Sequence, residues 1–291
     1  MFIWPTKTGQ IIIGIETYRP FMPCTNNLQT FLPHPSVSDY VSSIVVIENA
    51  NPHVEIVLPL IANGFPGIAF HSTDNVLTSN GTDKLDNLFV YGQFVKPVEV
   101  STRGRLTFIA YFFHPHVLRN VTGTDGKELT DRCIEVSFFG PIAKTSLKEQ
   151  LLNATSLHMR ISLLDNFIRK LAASHHLSAN QTILSATQIM RNGMGLIPLK
   201  RIQAELHVTE RTFQRLFEFQ VGVSPKMFNR ICQFHAAFQQ VRQHQCSKLS
   251  DIAFETGYSD QSHLSRTFKE FTNYSPGEYL KMAAGFQARL R

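Results

Sequence analysis

Two segments near the C-terminal end of the chain carry arginine, glutamine and serine side chains that can hydrogen-bond to the edges of nucleic-acid bases. They span residues 209–228 and 260–279, and a shift of 51 positions carries Phe213 onto Leu264. In the major groove an arginine fork fits guanine and a glutamine amide fits adenine. The candidates for contacts with bases are Arg211, Gln214, Arg215, Gln261, Ser262, His263 and Arg266.

Each segment has the pattern of a short polar helix that follows a capping residue and ends before a Ser-Pro turn. Thr209 suits the N-cap of the first helix, because its hydroxyl can accept a hydrogen bond from a free backbone amide. Phe213 and Phe217 are four residues apart and therefore share one buried face. A short apolar helical segment precedes each polar helix, so both units are predicted to be helix–turn–helix motifs with the polar helix as recognition helix.

Some of these side chains have a second interpretation. Arg215 and Arg266 each lie between apolar positions, so pairing with an internal carboxylate or a phosphate remains open beside base contact. His263 is either a DNA contact or a partly buried spacer. The candidates for contacts with DNA phosphates are Thr209, Lys226 and Lys269. For the lysines, a solvated surface position is an equal alternative.

The segment between the two units is long enough to form a single helix. Residues 225–242 carry apolar side chains along that length, and a rigid helix there would fix the separation of the two recognition helices. Ile252 corresponds to Ile202 by a shift of 50, so one extra residue lies in the second turn. Gly257 in that turn accommodates a positive φ.

The charge of the chain is concentrated in the same region. Residues 180–291 carry 14 Lys+Arg against 8 Asp+Glu, whereas residues 1–179 carry 14 of each, so the whole net charge of +6 lies in the C-terminal part. A basic region favours a polyanionic partner. No apolar run approaches the roughly 20 residues of a membrane-spanning helix, so we expect a cytoplasmic protein.

The N-terminal half is predicted to be rich in β-strands that form a cupin-like barrel or a sandwich. Short runs of β-branched and aromatic residues alternate there with Gly, Pro, Asn and Asp clusters. The runs are Ile11–Ile15, Ser43–Ile47, Val54–Leu58, Gly67–Phe70, Asn87–Tyr91 and Leu106–Phe113. The aromatic residues expected to line the interior, as a ligand site or as a closed core, are Phe65, Phe70, Phe89, Phe108 and Tyr111.

Neither the cysteines nor the histidines predict a metal site or a cofactor. The four cysteines are widely spaced and form no Cys-x-x-Cys pair. His114 and His116 would share a strand face, but Pro115 interrupts the strand and no glutamate follows at the spacing of a metal site.

A helical segment separates the two halves. Apolar residues at intervals of four and three form a narrow seam, which predicts a helix with one apolar edge. They are Leu157, Ile161, Leu164, Ile168 and Leu171. Packing within one chain and a dimer interface are equal alternatives for this seam.

The C-terminal segment closely resembles the DNA-binding domain of AraC/XylS-type bacterial transcription regulators over about 100 residues. The matching residues are Thr209, Arg211, Phe213, Arg215–Phe217, Gly222, Ser224–Pro225, Ile252–Ala253, Gly257–Tyr258, Asp260–Ser262, Leu264, Arg266, Phe268–Lys269, Ser275–Pro276 and Tyr279. His207 and Asn273 depart from the family pattern, which commonly has glycine at the first position. The run Gly92–Phe94 and the run Phe113–His116 resemble the β-rich N-terminal domain of a poorly characterised subgroup.

The resemblance implies two recognition helices in adjacent major grooves, roughly one helical turn or ~34 Å apart. It further implies an N-terminal domain that senses a small molecule, dimerises, or both, with RNA polymerase as a partner if the protein is an activator. We expect an α+β protein of two domains. Residues 1–140 form the β-rich regulatory domain, residues 141–178 a helical hairpin that is a candidate dimerisation segment, and residues 179–291 the all-α DNA-binding domain.

Two other functions remain open at this point. One is an enzyme with a fused DNA-binding module, which would need a reactive cysteine within a motif, and Cys24 has none around it. The other is a protein whose basic domain docks on an acidic protein. Neither a catalytic residue nor a cofactor is predicted, and double-stranded DNA is the expected partner of a monomer or homodimer.

Overall fold

The structure is a computed structural model that describes residues 27–139, 146–175, 180–243 and 248–281. The strand predicted over Ile11–Ile15 lies outside the described residues, as do Cys24 and Cys246. None of the described helices is long and apolar enough to cross a membrane.

The described part of the N-terminal half contains ten strands in two antiparallel sheets. The strands are β1 (Asn27–Phe31), β2 (Val41–Asn49), β3 (Glu55–Leu60), β4 (Gly67–Thr73), β5 (Thr78–Ser79), β6 (Asp83–Lys84), β7 (Leu88–Tyr91), β8 (Val98–Arg103), β9 (Leu106–Phe113) and β10 (Cys133–Glu135). One sheet has the order β1-β2-β9-β4-β7-β10 and the other β3-β8-β5-β6. Of the two predicted architectures, the sandwich is therefore the one observed.

The six-stranded sheet is buried on both faces, because it packs against the four-stranded sheet on one side and against helices on the other. In β9, Phe108 and Phe112 belong to the core between the sheets, whereas Ile109 and Tyr111 belong to the core under the helices. This division follows from the alternation of side chains along a strand.

The expectation that five aromatic residues line one interior is therefore wrong for two of them. Phe65, Phe89 and Phe108 lie between the sheets, but Phe70 and Tyr111 lie on the helix side. The space left between the sheets has a volume of about 10 Å³, which holds at most about one water molecule. The sandwich interior is thus a closed core.

Ten helices lie in the described residues, apart from two short 3₁₀ turns at Pro115–Val117 and Val136–Phe138. They are α1 (Leu118–Thr122), α2 (Gly126–Leu129), α3 (Leu147–Asn153), α4 (Leu157–Ser174), α5 (Gln181–Asn192), α6 (Leu199–Glu205), α7 (Glu210–Val221), α8 (Pro225–Gln243), α9 (Leu249–Glu255) and α10 (Gln261–Thr272).

Helix α4 covers the outer face of the six-stranded sheet with the apolar seam identified in the sequence. Leu164, Ile168 and Leu171 are buried in the hydrophobic core between this sheet and the helices. The Tyr111 hydroxyl, which has one proton to donate, lies 2.9 Å from Asp165 Oδ1 and 3.1 Å from the carbonyl oxygen of Ile161. Of the two alternatives for the seam, packing within the chain is the arrangement observed.

The duplication seen in the sequence is reproduced helix by helix. Helices α6 and α9 correspond by a shift of 50, and α7 and α10 by a shift of 51, so the extra residue lies in the second turn as predicted. His207 has φ 52° in the first turn and Gly257 has φ 74° in the second. At the helix ends Gly222 has φ 96° and Asn273 has φ 66°. His207 and Asn273 thus adopt the left-handed conformation that usually favours glycine.

The packing of α4 leads to a prediction about stability. Ile168→Ala should lower the free energy of unfolding by about 2–5 kcal/mol, because it leaves a cavity under the helix, whereas Met159→Ala on the same helix should change it by less than about 0.5 kcal/mol. Met159 is 49% exposed, so it serves as the matched control in urea denaturation. Equal losses for both variants would contradict the packing of Ile168 in this core, and a loss for Ile168→Ala that depends on protein concentration would indicate that the seam serves a dimer.

Candidate nucleic-acid interface

The first recognition helix, α7, presents a polar face that its buried side holds in place. Thr209 caps the helix, since its Oγ1 accepts a hydrogen bond from the amide of Thr212 at 3.3 Å. Phe213 and Phe217 are fully buried, and their ring centroids are 5.6 Å apart. The second ring also packs edge-on against Phe228 of α8, with centroids 5.4 Å apart. Burial of these rings fixes the rotation of α7 about its axis.

The opposite face of α7 is open to solvent. Arg211, Gln214 and Arg215 are exposed, and Gln214 Nε2 donates a hydrogen bond to Glu218 Oε1 at 3.1 Å. Two guanidinium groups and an amide on one helix face are suited to base edges and phosphates in the major groove.

The second recognition helix, α10, follows the same scheme with a stronger cap. Asp260 Oδ1 accepts a hydrogen bond from the amide of His263 at 2.7 Å. This bond and the Ser259 hydroxyl hold the pKa of the Asp260 carboxyl below its ordinary value. Leu264 and Phe268 are fully buried. The cap and the buried pair therefore orient α10 as they orient α7.

The exposed face of α10 carries a different set of side chains. They are Gln261, Ser262, His263 and Arg266. The ring of His263 packs edge-on against Tyr258, with centroids 5.1 Å apart, and its Nδ1 lies 3.3 Å from Ser259 Oγ. His263 therefore braces the turn while its side chain remains exposed.

The alternative of an internal carboxylate partner does not apply to the two repeated arginines. Arg215 and Arg266 are exposed. The ion pairs found among the described residues join other side chains: Arg105–Asp74, Lys148–Asp86 and Arg230–Glu270. Both guanidinium groups are thus available for contacts with bases or phosphates.

The candidates for phosphate contacts surround the recognition helices. Thr209 is exposed at the start of α7, and its hydroxyl also donates to Thr212 Oγ1 at 3.0 Å. Lys226 is exposed in the first turn of α8, and Lys269 is exposed on α10. The two ammonium groups are available to backbone phosphates, whereas the threonine hydroxyl is already used in the cap.

Helix α8 is the common support of both recognition helices. Phe228 packs in the core of the first unit, and Phe234 and Phe238 pack in the core of the second. Phe234 lies 5.6 Å from Phe268 between ring centroids, and Phe238 stacks on the same ring at 5.5 Å. The distance between α7 and α10 is therefore set by a buried helix and not by a flexible linker.

Polar contacts also tie α8 to both units. Asn229 Nδ2 donates to the carbonyl of Ile197 at 3.3 Å, in front of α6. Gln233 Nε2 donates to the carbonyl of Thr256 at 3.0 Å, at the end of α9. The two donors lie four residues apart on α8, so they are about one helical turn apart.

The N-terminal half also reaches the first recognition helix, which the sequence did not indicate. A groove of about 800 Å³ is lined by the exposed face of α7 together with Asp125 and Lys127 of the α2 region. These two residues are more than 80 positions away from α7 in the chain, and no motif marks them.

The two histidines at the start of the first 3₁₀ turn pack on each other, and His114 Nε2 lies 3.2 Å from the carbonyl oxygen of Ser38. His114 and His116 stack with centroids 5.7 Å apart, and burial lowers the pKa of His116 to about 4. Within the described ranges, no group of three His, Cys, Asp or Glu side chains could hold a metal ion.

Comparison with protein families gives two matches that divide the chain as the fold does. Residues 202–282 match a helix-turn-helix domain, which covers α6 nearly from its start through α10. Residues 29–135 match a domain of unknown function (DUF6597), which covers the β-sandwich.

Among individual proteins, the chain is similar to an uncharacterised HTH-type transcriptional regulator of Haemophilus influenzae, with 28% identity over 154 residues, 48% of this chain and 51% of the relative. It is also similar to the HTH-type transcriptional activator RhaS of Escherichia coli O139:H28, with 29% identity over 86 residues, 29% of this chain and 30% of RhaS. The chain thus spans about half the length of the first relative and about a third of the second.

Among solved structures, ToxT from Vibrio cholerae has 11% sequence identity to the chain and a TM-score of 0.48, over 88% of this chain and 99% of ToxT. The family match and the two sequence relatives agree with the repeat geometry of α6 to α10. The chain therefore carries a helix-turn-helix domain and is similar over that part to proteins described as HTH-type transcriptional regulators.

Proposed function

We propose that this protein is a transcription regulator that binds a specific DNA sequence with α7 and α10 in two successive major grooves. The observation that carries the proposal is the packing of both recognition helices on the single buried helix α8. Successive major grooves on one face of B-DNA are about 34 Å apart. Two helices can use both grooves only if their separation is fixed, and α8 supplies that constraint.

The two recognition helices should bind different sequences. Their buried positions correspond, as in the pair Phe217 and Phe268, whereas their exposed positions differ: Arg211 is replaced by Ser262, and Gln214 by Ser265. Because hydrogen-bond donors on the exposed face select the bases, one protein molecule should recognise an asymmetric site made of two unlike blocks.

We infer that the protein acts by binding and not by catalysis. Alkyl transfer by a cysteine would require a thiolate with a lowered pKa. Of the four cysteines, the structure describes Cys133 and Cys232, and burial raises the pKa of both to about 12, which keeps these two thiols protonated at neutral pH. The exposed groups on α7 and α10 are hydrogen-bond donors suited to a nucleic acid.

For the whole chain we propose the division into a regulatory domain of residues 1–140, a helical hairpin of residues 141–178 and a DNA-binding domain of residues 179–291, in a cytoplasmic protein. In support, the last described strand ends at Glu135, and α5 contributes Ile183, Ala186 and Met190 to the core of the first helix-turn-helix unit. The closed sandwich interior argues that regulation, by a small-molecule effector or otherwise, acts through the surface of the sandwich. RNA polymerase is a further partner if the protein activates transcription.

The first prediction concerns the DNA site itself. Selection of fragments from random duplex DNA should recover two blocks whose centres are about one helical turn, or 10–10.5 base pairs, apart. Affinity should fall steeply between 50 and 200 mM salt, because phosphate contacts release counterions. If an acidic protein competes for binding as effectively as the specific DNA does, the docking alternative is favoured. If the selected DNA contains a single undivided block, the two-helix model is contradicted.

The second prediction assigns one block to each helix. Arg211→Ala should relax base preference in one block and Gln261→Ala in the other, each by about 1–3 kcal/mol of discrimination. Competition binding with single-base variants of the selected site measures this. Arg103→Ala, an exposed arginine on β8 of the small sheet, is the matched control and should change neither block. Loss of preference in the same block for both variants would refute the assignment.

A further inference from the structure

The regulatory domain touches the first recognition helix through a contact of backbone on backbone. Gly126 at the start of α2 meets Gly222, which ends α7. A Cβ on Gly126 would lie 2.7 Å from the amide nitrogen of Gly222, and a Cβ on Gly222 would lie 2.6 Å from the carbonyl oxygen of Gly126. Neither distance is possible for a real side chain, so this close approach depends on both glycines.

A hydrogen bond joins the same two elements. Thr130 Oγ1 donates to the carbonyl oxygen of Gly222 at 2.6 Å, across 92 positions of the chain. The C-terminal carbonyls of a helix have no partner within the helix, and Gly222 follows directly on the last residue of α7. The threonine hydroxyl therefore holds the backbone where the first recognition helix ends.

A third contact lies one turn earlier on α7. The guanidinium of Arg119, on α1, lies 4.2 Å from the centroid of the Phe219 ring. Such a cation–π pair is attractive, and the attraction grows when the pair is withdrawn from water. Phe219 is 37% exposed, so this contact is partly covered. Three independent contacts thus hold the C-terminal half of α7 against the regulatory domain.

The two recognition helices differ in this respect. Helix α7 packs against α1, α2 and the Pro115–Val117 turn of the N-terminal half as well as against its own domain. Helix α10 packs against α8 and α9. The regulatory domain therefore contacts the first recognition helix directly through α1 and α2, and it reaches the second unit through Ile61 and Ala62, which lie in the core that α10 shares with α8.

Resting on the function proposed above, we propose that Thr130 and Arg119 are positioning residues for the first recognition helix, through which the regulatory domain sets the affinity for one of the two DNA blocks. The 12 residues of α7 span about 18 Å at 1.5 Å per residue. A tilt of about 10° at the held C-terminal end moves the other end by about 3 Å, the full length of a hydrogen bond. Arg211 lies at that other end.

The test is a cycle of protein variants and DNA fragments. One fragment carries the full selected site, and a second carries the same site with the α7 block scrambled, both measured at low salt so that the weaker fragment still binds. Thr130→Val should lower affinity for the full site by roughly fivefold, the value of one hydrogen bond, and leave affinity for the scrambled fragment unchanged. A residue needed only for stability would weaken binding to both fragments equally.

Three variants complete the design. Thr130→Ser retains the hydroxyl and should restore affinity to within about twofold of the original protein. Thr78→Val removes a comparable bond, from Thr78 Oγ1 to the carbonyl of Ser101 at 3.3 Å in the small sheet, and should change neither fragment. Arg119→Leu removes the cation–π contact with Phe219 and tests the proposal independently. It replaces Thr130→Val in the test if thermal denaturation shows that Thr130→Val is unfolded.

The outcomes separate this proposal from the function on which it rests. If the unmodified protein binds both fragments equally, there is no specific site and the proposed function fails. The other case is that the unmodified protein prefers the full site, but Thr130→Val and Arg119→Leu each lower the affinity for both fragments by the same factor or change neither affinity. The positioning role is then overturned, while the DNA-binding function stands.

Discussion

The buried aromatic face of α8 is the constraint on which the DNA-binding half of the molecule depends. Its phenylalanines belong to the cores of both helix-turn-helix units, so neither unit can rotate without disturbing the other. Interiors of this kind are close-packed and do not deform continuously. A change that shifts α8 should therefore alter both recognition helices together, whereas a change at α7 alone can alter one.

Much of the C-terminal half could be predicted from the sequence because its signals are local. Capping residues, phenylalanines four positions apart and Ser-Pro turns are each patterns of residues that lie close together in the chain. The comparison of the two copies located the extra residue in the second turn. The long helix α8 followed from length and apolar content. The alignment of the two copies also indicated the left-handed conformations of His207 and Asn273, because it places them at the positions of Gly257 and Gly222.

The N-terminal half was less predictable for a physical reason. Apart from Thr107, strand β9 is apolar, because both faces of its sheet are covered there, so the alternation that separates Phe108 from Tyr111 is hidden. The parity of their numbers would have placed them on opposite faces once a strand was assumed. The two-residue strands β5 and β6 are polar and exist only through pairing with neighbours. The contact between Thr130 and Gly222 has no local signal at all, since both residues serve ordinary turns in their own segments.

The duplicated units have equal helix lengths, seven residues in α6 and α9 and twelve in α7 and α10, although their turns differ by one residue. The extra residue thus lies in the turn, while the packed helices have the same length in both units. In each unit the buried residues determine the packing, and the exposed residues of the recognition helix can be exchanged without repacking the core. The outward residues of α10 could therefore be grafted onto α7, giving a protein with two identical recognition surfaces on a single rigid frame.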